Sequence, residues 1–284
     1  MSSQKVVVVT DSTAYIPKEM LGDFSIPVIP LWLIWGDERF RDGVDIDPAD
    51  FYQRLRGAKI FPSTSQPSAG EFEEFFRSAA DGADAVVGVF ISSALSGTVP
   101  NAQAAQAQMP DLDVRVVDSL SASMGLGFIT LAAARAAAAG RSVDEVVAVA
   151  AGMRDRVHVL FAVDTLEYLH RGGRIGGAKR LLGTALNIKP LLQLEEGRIE
   201  PLAQVRTKRK AVAQMLDVAE ERLEGKQMAE AAIINVDSAE EGQAVAETVK
   251  GRFGISTVCC TPVSPVIGAH AGPGTVGIGF YAVE

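Results

Sequence analysis

The chain has 284 residues, of which 48% are hydrophobic and 22% are charged, which is the balance of an ordinary soluble globular protein. A chain of this length is typical of two domains or of one large α/β domain, and either can bury a large core. The formal net charge of -8 argues against broad attraction to nucleic acid or to an anionic membrane, so an anionic ligand must be held by local donors.

Strand and helix signals alternate through the first half of the chain. The predicted strands are the buried apolar runs 5–10, 85–91 and 114–117, with an edge strand in the proline-containing run 28–35. The predicted helices are 50–56, 71–80, a helix that follows the loop 92–98 and ends near residue 108, and 124–139. Ser68 is expected to cap the second helix, and Gly140 to end the last. This alternation predicts a parallel sheet with helices on both faces.

The second half of the chain predicts a mixed sheet with helices. Its predicted strands are 159–163, the hairpin 191–194 with 199–205, and then 231–236, 256–260 and 277–283. Its predicted helices are 165–170 and 207–223. The change of pattern places the domain boundary near residue 160, which gives an N-terminal domain at 1–160 and a C-terminal domain at 161–284.

Polar residues follow three successive strands of the predicted parallel sheet. The pairs are Asp11-Ser12, Ser92-Ser93 and Asp118-Ser119. Ligands of such sheets lie beyond the carboxyl ends of the strands, so this clustering is the first signal of a site.

Two loops rich in hydroxyl groups, 61–68 and 92–98, are candidates for holding a carboxylate or a phosphate. Their serine and threonine hydroxyls and the backbone N–H groups at a helix start would supply hydrogen-bond donors without bulk, and Gly97 would let the backbone approach a ligand closely. Serine and threonine are also common in helix caps and turns, so the sequence leaves both interpretations open.

A histidine and two arginines are further candidates. His270 lies among small residues that leave space beside its ring, which favours a site over a purely structural role. Arg174 and Arg206 could face an anion or a partner, or could be ordinary surface residues. The segment 272–277 fits the pattern GxGxxG, but Pro273 interrupts it, and we interpret it as a tight backbone turn.

Other features predict a cytoplasmic protein without a metal or cofactor and without stable membrane insertion. No signal peptide is expected before Val6, and the longest apolar stretches are too short to span a bilayer. Cys259 and Cys260 are adjacent and would point to opposite faces of a strand, so they are a poor disulfide pair. No metal-binding motif and no P-loop is evident.

Taken in order, short motifs spread over nearly the whole chain resemble those of the DegV family. In the first half they are Thr10-Asp11-Ser12-Thr13, Asp42-Gly43, Thr64-Ser65-Gln66-Pro67-Ser68, Ser92-Ser93-Ala94-Leu95-Ser96-Gly97-Thr98 and Asp118-Ser119. In the second half they are Asp164-Thr165-Leu166-Glu167-Tyr168-Leu169, Arg171-Gly172-Gly173-Arg174-Ile175, Asn187-Ile188-Lys189-Pro190, Val205-Arg206-Thr207 and Gly268-Ala269-His270-Ala271-Gly272-Pro273-Gly274.

The resemblance implies a two-domain α/β protein, with an N-terminal Rossmann-like α/β/α domain, a C-terminal mixed-sheet domain and one long-chain fatty acid buried between them. It implies that Thr64 and Ser96 hold the carboxylate, with Ser65, Gly97 and His270 close by. It further implies delivery to a separate fatty acid kinase, whose acyl phosphate product can feed phospholipid synthesis. Arg174 and Arg206 would then face the partner or the phosphate.

Two functions of other classes stay open at this point. A serine hydrolase acting on acyl esters could use Ser96 and His270, with Asp11 or Asp118 as the orienting acid, although Ser96 lacks the GxSxG elbow. A DNA-binding regulator is disfavoured by the acidic composition and by the lack of a basic recognition helix.

Overall fold

The computed structural model describes residues 4–183, 188–256 and 258–284. Residues 1–3 lie outside the described residues, and so does the part of the chain start to which the expectation of no signal peptide refers. So do Asn187, which begins one of the motifs above, and residue 257 within the predicted strand 256–260.

The described elements alternate as the sequence predicts. The strands are β1 Val6–Asp11, β2 Val28–Ile29, β3 Trp32–Trp35, β4 Glu38–Arg41, β5 Ser63–Ser65, β6 Ala85–Phe90, β7 Asp113–Asp118, β8 His158–Ala162, β9 Lys189–Glu195, β10 Arg198–Val205, β11 Met228–Asn235, β12 Val258–Pro262 and β13 Val276–Ala282. The helices are α1 Lys18–Leu21, α2 Pro48–Leu55, α3 Ala69–Ala79, α4 Thr98–Ala107, α5 Ser123–Ala138, α6 Val143–Arg154, α7 Glu167–Arg171, α8 Lys208–Arg222, α9 Ala239–Phe253 and α10 Pro265–Ala271.

A four-stranded parallel sheet with the order β2-β1-β6-β7 forms the centre of the N-terminal half. Every residue of β6 is buried, because α5 and α6 cover one face of the sheet and α3 and α4 cover the other. A strand covered on both faces reads as a continuous apolar run, which is why the sequence predicts it well. Ser68 caps α3 with its side chain, and Gly140 follows α5 with a φ of +76°.

The apolar run 28–35 is divided between two sheets. Its first part is β2, which is an edge strand as predicted, and its second part is β3, which lies in a separate antiparallel sheet with the order β4-β3-β5. Pro30 stands between the two strands and has no backbone N–H to donate to either ladder. The third strand, β5, falls within the segment predicted as the loop 61–68, where Thr64 pairs with Leu33.

A six-stranded mixed sheet with the order β10-β9-β8-β13-β11-β12 forms the C-terminal half. The β11–β12 pair is parallel and the other pairs are antiparallel, so the predicted mixed sheet and its β9–β10 hairpin are confirmed. Helices α8 and α9 cover one face. The sequence predicts neither α9 nor α10 in this half, and neither α1 nor α6 in the first half.

The strand β8 crosses the predicted domain boundary near residue 160. It pairs with β9 and β13 of the six-stranded sheet, so a division between residues 160 and 161 would cut a strand. We therefore propose that the boundary lies in the turn 155–157, just before this strand.

The two halves meet through packing and a few specific hydrogen bonds. Helix α5 contacts β8, β11 and β13 as well as the parallel sheet. The Ser92 hydroxyl donates to the carbonyl of Gly197 at the tip of the β9–β10 hairpin, at 2.8 Å. The Tyr52 hydroxyl donates to the carbonyl of Val263, at 2.9 Å, which joins α2 to the segment before α10.

Candidate functional site

A cavity lies between the two halves and contains about 860 Å³ of space not occupied by atoms, part of it open to solvent. Its wall is mostly apolar and is built by both halves of the chain. The apolar lining residues are Leu31, Ile91, Leu95, Ala122, Val159, Phe161, Leu169, Leu194, Ile199, Ile234, Val236, Val263, Val266, Ile267 and Ala271. Such a wall suits a ligand whose body is apolar.

Thr64 and His270 form a hydrogen-bonded pair of polar side chains in this mostly apolar wall. The Thr64 Oγ1 and the His270 Nε2 are 2.7 Å apart, although the two residues are 206 positions apart in sequence. Thr64 is held by the pairing of β5 with β3, and His270 lies in α10, whose start is capped by the Ser264 side chain. The site therefore depends on the antiparallel sheet and on α10 together.

His270 is neutral at physiological pH. Burial of the ring and the nearby positive charge of Arg174 lower its pKa from the usual 6.5 to about 4. The Nδ1 atom is buried and has no hydrogen-bond partner among the residues that the structure describes. Gly172 lies beside this atom, since a Cβ at Gly172 would be 2.0 Å from it.

Arg174 brings a cation to the same part of the cavity. Its Nε donates to the carbonyl of Leu95 at 3.0 Å, and its Nη1 donates to the carbonyl of Gly172 at 2.8 Å. These two bonds fix the guanidinium between the loop that carries Ser96 and the turn after α7. Arg206 is placed differently: it is exposed directly after β10 and is not among the described residues of the cavity wall.

The remaining predicted residues lie at or beside the same region. Ser65 and Ser96 line the cavity, and the Ser96 hydroxyl is 2.8 Å from the hydroxyl of Thr98. Gly97 packs behind the wall, because a Cβ there would lie 2.9 Å from the Nε2 of Gln66. Gln66 itself lines the cavity and was not singled out from the sequence, although it belongs to the 64–68 motif.

The aspartates at the strand ends support loops. Asp11 accepts hydrogen bonds from the backbone of Thr13 and of Ile91, and Asp118 accepts them from the backbone of Ser93 and Leu120. The predicted clustering at the carboxyl edge is therefore present. Neither aspartate is hydrogen-bonded to His270 among the described residues.

Within the described ranges 4–183, 188–256 and 258–284, no group of three or more histidine, cysteine, aspartate or glutamate side chains is placed to hold a metal ion. Within the same ranges, none of the helices combines the length and the apolar character needed to cross a bilayer.

These features define an α/β protein with a mostly apolar cavity between its two halves, in which a few polar side chains stand together. The chain belongs to the DegV family: the family model described as "Uncharacterised protein, DegV family" matches residues 5–283.

Relatives of known sequence and structure resemble the chain over almost its whole length. A DegV domain-containing protein of Streptomyces coelicolor is 41% identical, with 97% of this chain and 98% of the relative covered. A fatty-acid-binding DegV family protein from Thermus thermophilus superposes with a TM-score of 0.91 at 36% identity, covering 98% of this chain and all of the other. DegV of Bacillus subtilis, described as a fatty acid binding protein, gives a TM-score of 0.91 at 32% identity, covering 99% and 100%.

Proposed function

We propose that this protein binds one long-chain fatty acid in the cavity and presents its carboxylate to a separate fatty acid kinase, without catalysing a reaction alone. The observation that carries the proposal is the Thr64–His270 pair, set in an otherwise mostly apolar wall. The fatty-acid-binding relatives named above support the ligand class.

The apolar wall supplies most of the affinity in this proposal. Burial of an acyl chain contributes about 0.8 kcal/mol per CH₂ group, so a long chain binds tightly with few polar contacts. The polar groups would then fix the orientation of the ligand, with its carboxylate at Thr64 and its tail along the apolar residues.

The hydrogen-bond pattern of His270 suits a carboxylate at this place. If its one proton is on Nε2, the ring donates to the Thr64 oxygen, and the unpaired Nδ1 is left as a mere acceptor. The Thr64 hydroxyl proton is then free to point into the cavity and donate to the ligand. The Ser96 hydroxyl is a further donor to the ligand when it accepts from Thr98, whereas the Ser65 hydroxyl already donates to the carbonyl of Gln66. The cation of Arg174 favours a negative head group.

A separate kinase is part of this proposal because no motif for binding ATP, such as a P-loop, is evident in the sequence. ATP would then be bound by a second protein of the cytoplasm. Arg206 is exposed after β10 and is available to meet a partner or a phosphate. The acyl phosphate formed in this way would feed phospholipid synthesis.

The hydrolase alternative is less well supported by the geometry. Ser96 is hydrogen-bonded to Thr98, and the Nε2 of His270 is bonded to Thr64, so the described residues show no serine–histidine relay. The Nδ1 of His270 also lacks the carboxylate that would orient a general base. A fluorophosphonate probe distinguishes the two functions, since only an activated serine is expected to label readily.

The direct test is mass spectrometry of lipid extracted from the purified protein under denaturing conditions. We expect about one fatty acid per chain, and saturable binding when a fatty acid is added back to the stripped protein. Acyl phosphate should appear only when ATP and a fatty acid kinase are both supplied. Repeated absence of fatty acid, together with no binding on addition, would overturn the proposal.

A further inference from the structure

One serine in the cavity wall has a hydroxyl group that makes no hydrogen bond to the described residues. Ser123 lines the cavity and is only 4% exposed, and its hydroxyl has no hydrogen-bond partner among the described residues. The hydroxyl therefore faces the cavity with its donor and its acceptor capacity both unused.

The other polar side chains in this wall, away from Thr64 and its neighbours, are internally bonded. The Nδ2 of Asn235 donates to the carbonyl of Thr261 at 3.1 Å, and its Oδ1 accepts from the amide of Ser238. The hydroxyl of Thr275 donates to the carbonyls of Ala271 and Gly272. Ser123 differs from both, because its hydroxyl can donate to and accept from a ligand.

The backbone around Ser123 adds unused donors. Ser123 is the first residue of the 16-residue helix α5, and the residue before it, Ala122, supplies no side-chain cap. The first amides of a helix lack partners within the helix and carry partial positive charge, so they favour an oxygen atom placed before them. The helix start and the buried hydroxyl therefore point to the same kind of ligand atom.

Ser123 and the Thr64–His270 pair are carried by different elements of the fold. Helix α5 packs against β8 and β13, and a Cβ at Gly125 in its first turn would meet Val159 of β8 at 2.5 Å. His270 belongs instead to α10, which packs against α7, α2, β3 and β5. A ligand held by its carboxylate at Thr64 could thus present a different part of its chain to Ser123.

We propose that Ser123 and the start of α5 form a second polar subsite, which receives an oxygen atom carried along the acyl chain, so that the preferred ligand class is a hydroxy fatty acid. This inference rests on the proposed function, because it takes the carboxylate to lie at Thr64. The hydroxyl of the ligand donates to or accepts from the Ser123 hydroxyl, which replaces the water that the ligand loses on burial.

The test compares stearic acid with monohydroxystearic acids whose hydroxyl group moves stepwise along the chain. Binding of each is titrated to the wild-type protein after removal of lipid. We expect one or two neighbouring positions to bind at least as tightly as stearic acid and about 3–10-fold more tightly than the other hydroxy isomers, as a single neutral hydrogen bond allows. This scan needs no variant.

Two variants then assign the effect to the hydroxyl. Ser123→Ala and Ser123→Gly should each weaken the favoured isomer, measured relative to stearic acid in the same variant, by about 3–10-fold. The glycine variant guards against strain, because Ser123 has a φ of +52°. Ser121→Ala is the matched control, since Ser121 is buried in the same turn but is not among the described wall residues.

The outcomes separate the two proposals. If stearic acid binds but no hydroxy isomer is favoured, or if the Ser123 variants treat all isomers as the wild type does, the subsite is wrong and the proposed function stands. If neither stearic acid nor any hydroxy acid binds, the proposed function fails and the subsite fails with it.

Discussion

The ring of His270 occupies the space that a side chain at Gly172 would need, since a Cβ at Gly172 would lie 2.0 Å from the ring Nδ1. Gly172 has a φ of -75°, so an alanine would fit the backbone, and the three atoms nearest to its Cβ would all belong to the ring of His270. The pair therefore gives a way to move His270 without changing it.

Gly172→Ala should displace the imidazole and break its 2.7 Å contact with Thr64. We expect fatty acid affinity to fall by about tenfold or more, as loss of one well-placed hydrogen-bonded group implies. Gly152→Ala is the control, because a Cβ there meets nothing within 4 Å and helix α6 accepts it. Unchanged affinity in Gly172→Ala would contradict the role given to His270.

Thr64→Val and Ser96→Ala should each weaken fatty acid binding by about 1.5–3 kcal/mol, because each change deletes a donor to a buried carboxylate. Valine keeps the shape of threonine, so the first change is nearly isosteric. Titration of the acid and of its methyl ester measures the effect, and the uncharged ester should discriminate less between wild type and variant. Equal affinity for the acid in all three proteins would place the carboxylate elsewhere.

Asp42→Asn should change how stability depends on pH. Asp42 is buried beside Ser12, and burial, with the nearby charge of Asp11, raises its pKa to about 7 despite hydrogen bonds from Ser12 and Ser264. A raised carboxyl pKa stabilises the fold fully below the unfolded pKa of about 4, and this contribution is lost as pH rises through about 7.

Asparagine does not ionise, so the variant does not lose stability in this way as the pH rises. Relative to wild type, we expect Asp42→Asn to gain stability as the pH rises from about 4 to about 7, on the order of a few kcal/mol. Urea unfolding at several pH values measures the difference. His158 and His270, whose pKa values are lowered to about 4, are common to both proteins and cancel. A difference independent of pH would show that Asp42 is ionised throughout.

Arg206→Ala should impair phosphorylation by a fatty acid kinase more than fatty acid binding, because Arg206 is exposed and lies outside the described cavity wall. Arg198→Ala is a matched control, since Arg198 is also exposed but stands at the opposite end of β10. The comparison needs a binding titration and a turnover assay at saturating fatty acid. If Arg206→Ala lowers only the affinity for fatty acid, Arg206 does not have the proposed role in phosphorylation.

The sequence predicted most of the strands, but not the setting of the site. A buried parallel strand such as β6 is visible because both of its faces are apolar. Thr64 was predicted in a loop, because three residues rich in hydroxyls carry no strand signal until β3 supplies their partner. Helix α10 was omitted, since a seven-residue helix that contains Pro265 and Gly268 has little intrinsic propensity.

The sequence predicts polar residues of the candidate site but not its apolar wall. Thr64, Ser96, Arg174 and His270 were selected from motifs, and the structure brings all four to one cavity. The apolar wall could not be selected, because it is assembled from both sheets. Gly172 could not be interpreted either, since only the packed structure shows what stands against it.

The hydrogen bond between Thr64 and His270 joins residues 206 positions apart, so neither half of the chain contains the polar site by itself. Contacts of such sequence separation form late in folding, after the local elements are in place. A fatty acid would therefore find no binding site while the two halves were still apart. Its effect should therefore fall on the unfolding rate, which it would slow, and leave the folding rate nearly unchanged.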